Sequence, residues 1–198
     1  MGGVPERYDP RTALSVVDVQ NDFADPNGSL AVAGGADVVP FTNEQIRSAI
    51  DAGAFVVYTQ DWHPPSTPHF AQDGGVWPVH CVRDTWGAEL HPALDVRGPV
   101  VRKGTGGEDG YSGFTMADPE TGDRSATDLD ALLREHVIER LVIVGLATDY
   151  CVRATALDAI ANDYETSVLR DGVRAVNLEP GDGERALDEI RMAGVDVR

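Results

Sequence analysis

The feature that most constrains this chain is a series of short, unbroken apolar runs separated by segments of helical period. Leu141-Val142-Ile143-Val144 is the clearest of them, closed by Gly145 with no polar residue between. A strand with one wet face alternates apolar and polar residues, whereas a continuous apolar run is covered on both faces. Residues 13–17, 55–58, 100–102, 166–169 and 195–197 read as further strands. Between them, residues 38–52 carry Phe41, Ile46, Ala49 and Ile50 at helical spacing and end at Gly53, a plausible C-cap. Further helices are expected from Thr127 or Asp128 to about His136, over residues 152–162, and over residues 183–193. Strands alternating with helices predict an α/β fold with three layers, α/β/α, around a mainly parallel sheet of roughly six strands.

The ends of these strands carry the polar groups: Asp18, Gln60-Asp61, Lys103 and Thr148-Asp149. Open α/β sheets bind ligands outside the carboxyl ends of their strands, so four strands deliver chemistry to one edge. Cys151 stands where the Leu141–Val144 strand gives way to a helical pattern through Ala154, Leu157, Asp158, Ile160 and Ala161. The positive end of a helix dipole favours thiolate, the nucleophilic form. A small buried apolar cysteine fits the same pattern, because free cysteine is among the most buried residue types. Asp18 and Lys103 would supply an acid–base partner and a cation beside that thiol. Taken singly, Asp18 reads as a cap and Lys103 as a solvated lysine.

Four of the five histidines (His63, His69, His80 and His91) fall in the single connection between the second and third strands. Asp61 and His63 alternate at a strand end and so point the same way. With His69 and His80 from the loop that follows, one carboxylate and two or three imidazoles suit a divalent transition metal such as Zn, Fe or Mn. The stretch Gly104-Thr105-Gly106-Gly107-Glu108-Asp109-Gly110 follows a strand but misses the G-x-G-x-x-G spacing of a dinucleotide site. It reads as a mobile loop beside the site. Cys81, next to His80, reads as structural.

A length of 198 residues and a hydrophobic content of 42% fit one domain over residues 1–198. The net charge of −17 argues against nucleic acid and anionic membranes as partners. No apolar run approaches the roughly 20 residues that span a bilayer, and the first ten residues lack a signal-peptide core. Two cysteines make no disulfide framework, so a cytoplasmic protein with reduced thiols is expected.

In order along the chain, these segments resemble the nicotinamidase branch of the isochorismatase-like cysteine hydrolases. They are Val17-Asp18-Val19-Gln20-Asn21-Asp22-Phe23, Asp61-Trp62-His63-Pro64 with His69-Phe70, and Trp77-Pro78-Val79-His80-Cys81. Val101-Arg102-Lys103-Gly104, Tyr111-Ser112-Gly113-Phe114 and Gly145-Leu146-Ala147-Thr148-Asp149-Tyr150-Cys151-Val152 complete the set. The resemblance implies the isochorismatase-like hydrolase fold, often associated into homo-oligomers. It implies Cys151 as nucleophile, Asp18 as base and Lys103 as their electrostatic partner. Backbone N–H groups of Ala147 and Cys151 would form the oxyanion hole, next to a cis peptide between Leu146 and Ala147. One divalent metal would be held by Asp61, His63, His69 and His80, and Phe23, Trp77 and Tyr111 would sandwich the ring. The implied reaction turns nicotinamide into nicotinate and ammonia through a thioester, in NAD salvage, with pyrazinamide as an analogue. A related amidase acting on N-carbamoyl compounds or isochorismate is the nearest alternative, and such relatives lack the full metal set. A silent binding domain and a metallohydrolase using metal-bound water are the others.

Overall fold

The computed structural model describes residues 7–198; the first six residues, part of the N-terminal segment read above, lie outside it. Six strands form one parallel sheet: β1 (Thr12–Val17), β2 (Phe55–Asp61), β3 (Val100–Lys103), β6 (Arg140–Leu146), β7 (Glu165–Arg174) and β8 (Asp196–Val197). Their order is β3-β2-β1-β6-β7-β8. Every residue of β1 is buried, Thr12 and Ser15 included, as a central strand covered on both faces demands. Alternate residues of that strand divide between two cores. Leu14 and Val16 pack with Val142, Val144 and with Val38, Val39, Ile46 and Ala49 of helix α2 (Val38–Asp51). Ala13 and Val17 face the other way, toward Leu129 and Leu133 of α3 (Leu129–Glu135), Ala156 and Ala159 of α4 (Arg153–Ala161), and Leu187 and Ile190 of α5 (Asp182–Met192). The result is the three-layer α/β/α arrangement.

The helix boundaries follow local chemistry. Gly53 takes φ +73° after α2, and its N–H reaches the Ile50 carbonyl while that of Ala54 reaches Ala49, which satisfies the last-turn acceptors. Thr127 caps α3, its hydroxyl oxygen accepting from the Leu129 N–H at 3.2 Å. Three elements were not visible in the sequence. One is the antiparallel hairpin β4 (Thr115–Ala117) and β5 (Arg124–Ala126). The second is the short helix α1 (Asn21–Ala24) directly after β1, and the third is the extension of β7 to Arg174. Among the described residues no helix is long and apolar enough to cross a membrane.

From β1 the chain builds outward to β2 and β3, then returns beside β1 as β6 and builds the other way. The switch between β1 and β6 opens a crevice at the carboxyl edge of the sheet. The two strands approach closely there: Gly145 has φ +118°, and a Cβ on it would lie 2.0 Å from the Val17 carbonyl oxygen. No side chain fits that position.

Candidate active site

Asp18, immediately after β1, turns the chain with φ +47°, a conformation that Asp tolerates better than bulkier residues. Its side chain is fully buried at the crevice floor. One carboxylate oxygen accepts from the Thr59 hydroxyl at 2.6 Å, and the other lies 2.7 Å from Lys103 Nζ. Lys103 ends β3 directly opposite Asp61 in the sheet register. Its buried ammonium also donates to Asp61 Oδ1 and to the Gly110 carbonyl, and lies 3.7 Å from Cys151 Sγ. One oxygen of Asp18, one of Asp61 and the Cys151 sulfur fall within 4.8 Å of one another. One lysine thus bridges the carboxylate beside the thiol and the carboxylate beside the histidines.

Burial and the charges sharing Lys103 compete in the electrostatics of this cluster. It pushes Asp18 up to about 6, against the pull of Lys103, while the charge of Asp61 adds to the rise. Burial opposes ionisation of Asp61 as well, but Lys103 and His63 outweigh it and hold that carboxyl well below the usual range. Burial lowers Lys103, yet Asp18 and Asp61 together hold its ammonium well above the ordinary value. Cys151 corrects an expectation. It sits within one turn of π-helix, Thr148–Val152, ahead of α4, and burial pushes its thiol well up despite Lys103. Burial thus opposes the thiolate that the helix end favours. A reaction at Cys151 needs a base, and Asp18 is the adjacent one.

One ring nitrogen from each of His63, His69 and His80 lies within 4.8 Å of the others. Whether these residues fit a metal is tested by their hydrogen bonds. His69 Nδ1 is engaged by Asp109, and His80 Nδ1 lies 2.7 Å from the Pro78 carbonyl oxygen, which leaves both Nε2 atoms as the available ligands. His63 is almost completely buried, and neither of its ring nitrogens has a hydrogen-bond partner among the described residues. Its Nε2 is 3.8 Å from Asp61 Oδ2. Burial lowers His69, and pushes His80 down to about 4, which keeps those imidazoles in the neutral, ligating form at pH 7. Buried polar atoms without partners are rare, and three imidazoles converging beside a carboxylate fit a divalent transition metal.

Gly104 makes room for this cluster. It has φ +71°, and an added Cβ would lie 2.5 Å from His63 Cε1. Gly104→Ala is expected to destabilise the protein by about 1–3 kcal/mol, from overpacking together with a strained backbone. Thermal unfolding checks this, and an unchanged melting temperature would show that the His63 ring can move freely aside.

Phe23, Trp77 and Tyr111 line a pocket whose walls also include Asp61, His69, His80, Ala147 and Cys151. The peptide between Leu146 and Ala147 at its base is cis. Trp77 Nε1 donates to the Tyr111 hydroxyl at 2.8 Å, and Phe23 packs 5.5 Å from the His80 ring. Tyr150 belongs to the same wall, edge-on to Trp77 at 4.8 Å, and was passed over in the sequence although it precedes Cys151 directly.

The segment after Asp18 holds the site together in ways its composition did not announce. Gln20 Nε2 donates to the Asp61 carbonyl at 2.8 Å, and Gln20 Oε1 accepts from the Asp61 N–H at 2.8 Å. The Asn21 side chain donates to the Trp86 carbonyl. Asp22 accepts from the Cys81 N–H at 2.7 Å, which fixes the turn after His80. Cys81 itself is buried, with its sulfur toward the Gly87 carbonyl. Asp149 faces away from the crevice and accepts from the backbone N–H groups of Val176 and Asn177.

A parallel α/β sheet with a buried Asp–Lys–Cys cluster at its switch point defines the class of protein. The isochorismatase domain model matches residues 12–198, and the chain belongs to that family. Within it, the chain is 40% identical over 206 residues to the nicotinamidase of Escherichia coli (strain K12), covering 95% of this chain and 94% of that protein. The pyrazinamidase of Pyrococcus horikoshii, solved in complex with zinc, is 42% identical with a TM-score of 0.85, covering 96% of this chain and 99% of that one. PnC1 from L. infantum, solved in complex with nicotinate, is 33% identical with a TM-score of 0.87, covering 98% and 96%.

Proposed function

We propose that this protein hydrolyses nicotinamide to nicotinate and ammonia in the cytoplasm, as a step of NAD salvage, and accepts pyrazinamide as an analogue. The chain is a hydrolase acting on amide C–N bonds, as its family and its nicotinamidase relatives establish. The observation that carries the substrate is the meeting of two sets of groups on one pocket. The thiol cluster and the histidine cluster face the same aromatic-walled space and share Lys103 between their carboxylates. Relatives solved with zinc and with nicotinate support this reading.

The proposed chemistry begins at Cys151. Asp18 takes the thiol proton as the sulfur attacks the carboxamide carbon, and Lys103 at 3.7 Å stabilises the negative charge on sulfur. Backbone N–H groups of Ala147 and Cys151 stabilise the oxyanion, a contribution of about 3–4 kcal/mol per donor. Asp18 returns the proton to the amide nitrogen, the C–N bond breaks and ammonia leaves a thioester. Asp18 then takes a proton from water, which attacks the thioester; the C–S bond breaks to release the acid, and Asp18 returns the proton to the sulfur, restoring the thiol and the base. Phe23, Trp77 and Tyr111 hold the ring so that its carboxamide meets the sulfur. Asp61, His63, His69 and His80 would hold a divalent metal, which supplies a Lewis-acid anchor for the ring nitrogen.

The test is ammonia release from nicotinamide, with metal analysis of the same preparation. Wild-type protein is expected to carry about one divalent ion per chain and to turn over nicotinamide. His63→Ala is expected to lose both. Full turnover by metal-stripped protein would overturn the metal requirement.

A further inference from the structure

The glycine-rich segment read from the sequence as a mobile loop is tied to the site at several points. The Gly110 carbonyl accepts from Lys103, and the Gly107 carbonyl accepts from the Thr67 hydroxyl, two residues before His69. Thr67 Oγ1 in turn accepts from the His69 N–H at 3.2 Å. Asp109 pairs with Ala117 through backbone bonds of 2.7 and 2.9 Å, which anchors it to the β4–β5 hairpin, and its carboxylate meets His69 Nδ1. This last contact decides the state of the imidazole. Asp109 presents an acceptor oxygen to Nδ1, so the proton sits on Nδ1 and the lone pair sits on Nε2. His69 Nε2 is thereby directed at the nitrogens of His63 and His80.

We propose that Asp109 is a positioning residue for the metal centre: it fixes the tautomer and orientation of His69 and so sets how tightly the site holds its ion. The proposal rests on the reading that His63, His69 and His80 hold a metal. A carboxylate behind a ligating histidine orients the ring and raises its basicity, and losing such a partner weakens metal binding by roughly 10–100-fold. The Asp109 side chain is about one-quarter exposed (28%), and its direct contact with the histidine cluster is at His69.

The test is the zinc dissociation constant of the full chain, read by competition with a chromogenic chelator, for wild type, Asp109→Asn, His69→Ala and the double variant. Asp109→Asn keeps the shape and the backbone pairing with Ala117 but removes the charge. It is expected to weaken zinc binding by about 10–100-fold in the wild-type background. In the His69→Ala background it is expected to add less than about two-fold, because coupled sites are not additive. Wild-type affinity in Asp109→Asn, or an equal loss in both backgrounds, would overturn the proposal alone. A wild-type protein that takes up no zinc would overturn the metal reading and the proposal with it, whereas a His69→Ala variant that binds as tightly as wild type would remove His69 as a ligand and overturn the proposal alone. If Asp109→Asn does not fold by circular dichroism, Asp109→Glu takes its place in the same cycle. Its longer side chain displaces the charge from Nδ1, and the same expected and overturning outcomes apply.

Discussion

Cys151→Ala is expected to abolish nicotinamide hydrolysis, lowering kcat by about 10⁴-fold or more, while the protein stays folded and still binds nicotinamide. The magnitude follows from what the sulfur does in the proposed reaction. Without a nucleophile the oxyanion donors and the bound metal remain, but the acyl group has nowhere to go. The change removes one atom from a residue that is already small, so the cost in stability is modest. Burial pushes the thiol pKa well up, and Asp18 is the base in reach. Ammonia release and nicotinamide binding on the same preparation separate lost chemistry from lost binding. Retention of wild-type turnover would favour attack by metal-bound water, with Cys151 as core filler.

Lys103→Met is expected to destabilise the fold by about 3–5 kcal/mol, because breaking a buried ion pair strands the remaining charge. Here it strands two, Asp18 and Asp61, both buried and both paired with the same ammonium. For a chain of this size that corresponds to a fall in melting temperature on the order of 10 °C. The sign of the pH dependence follows. Lys103 lowers the pKa of Asp18 and Asp61 raises it, so removing the lysine lifts Asp18 above about 6. Protonation then relieves the stranded charge, and the stability deficit shrinks as the pH falls. The acid limb of any residual activity moves to higher pH, since the base is protonated over a wider range. Thermal unfolding at several pH values reads the first effect. A melting temperature equal to wild type at neutral pH would show that the network does not depend on its cation.

The central strands were legible because β1, β2 and β6 are buried almost throughout and so carry mainly apolar residues. The β4–β5 hairpin was not, since each arm is three residues long and none of the six is buried. The extension of β7 was hidden by Arg170-Asp171-Gly172, which interrupts the apolar run although the backbone continues as strand. In the site, the residues that carry chemistry announced themselves by type. The residues that hold them did not. Gln20 clamps Asp61, Asp22 clamps the turn after His80, and Asp109 meets His69 from 40 positions away. A hydrogen bond between distant segments leaves no periodic trace in either of them.

By itself the sequence determined the α/β alternation, the delivery of Asp18, Asp61, Lys103 and Cys151 to strand ends, and the crowding of histidines into one loop. Those are local facts, set by residue type and spacing. Only the tertiary structure decided that β3, β2, β1 and β6 lie side by side in that order, which brings a lysine from the third strand between carboxylates from the first and second. It also decided the surroundings of the thiol. A helix end argues for thiolate, but burial beside Asp18 and Asp61 opposes it, and burial is a property of packing that no single segment contains.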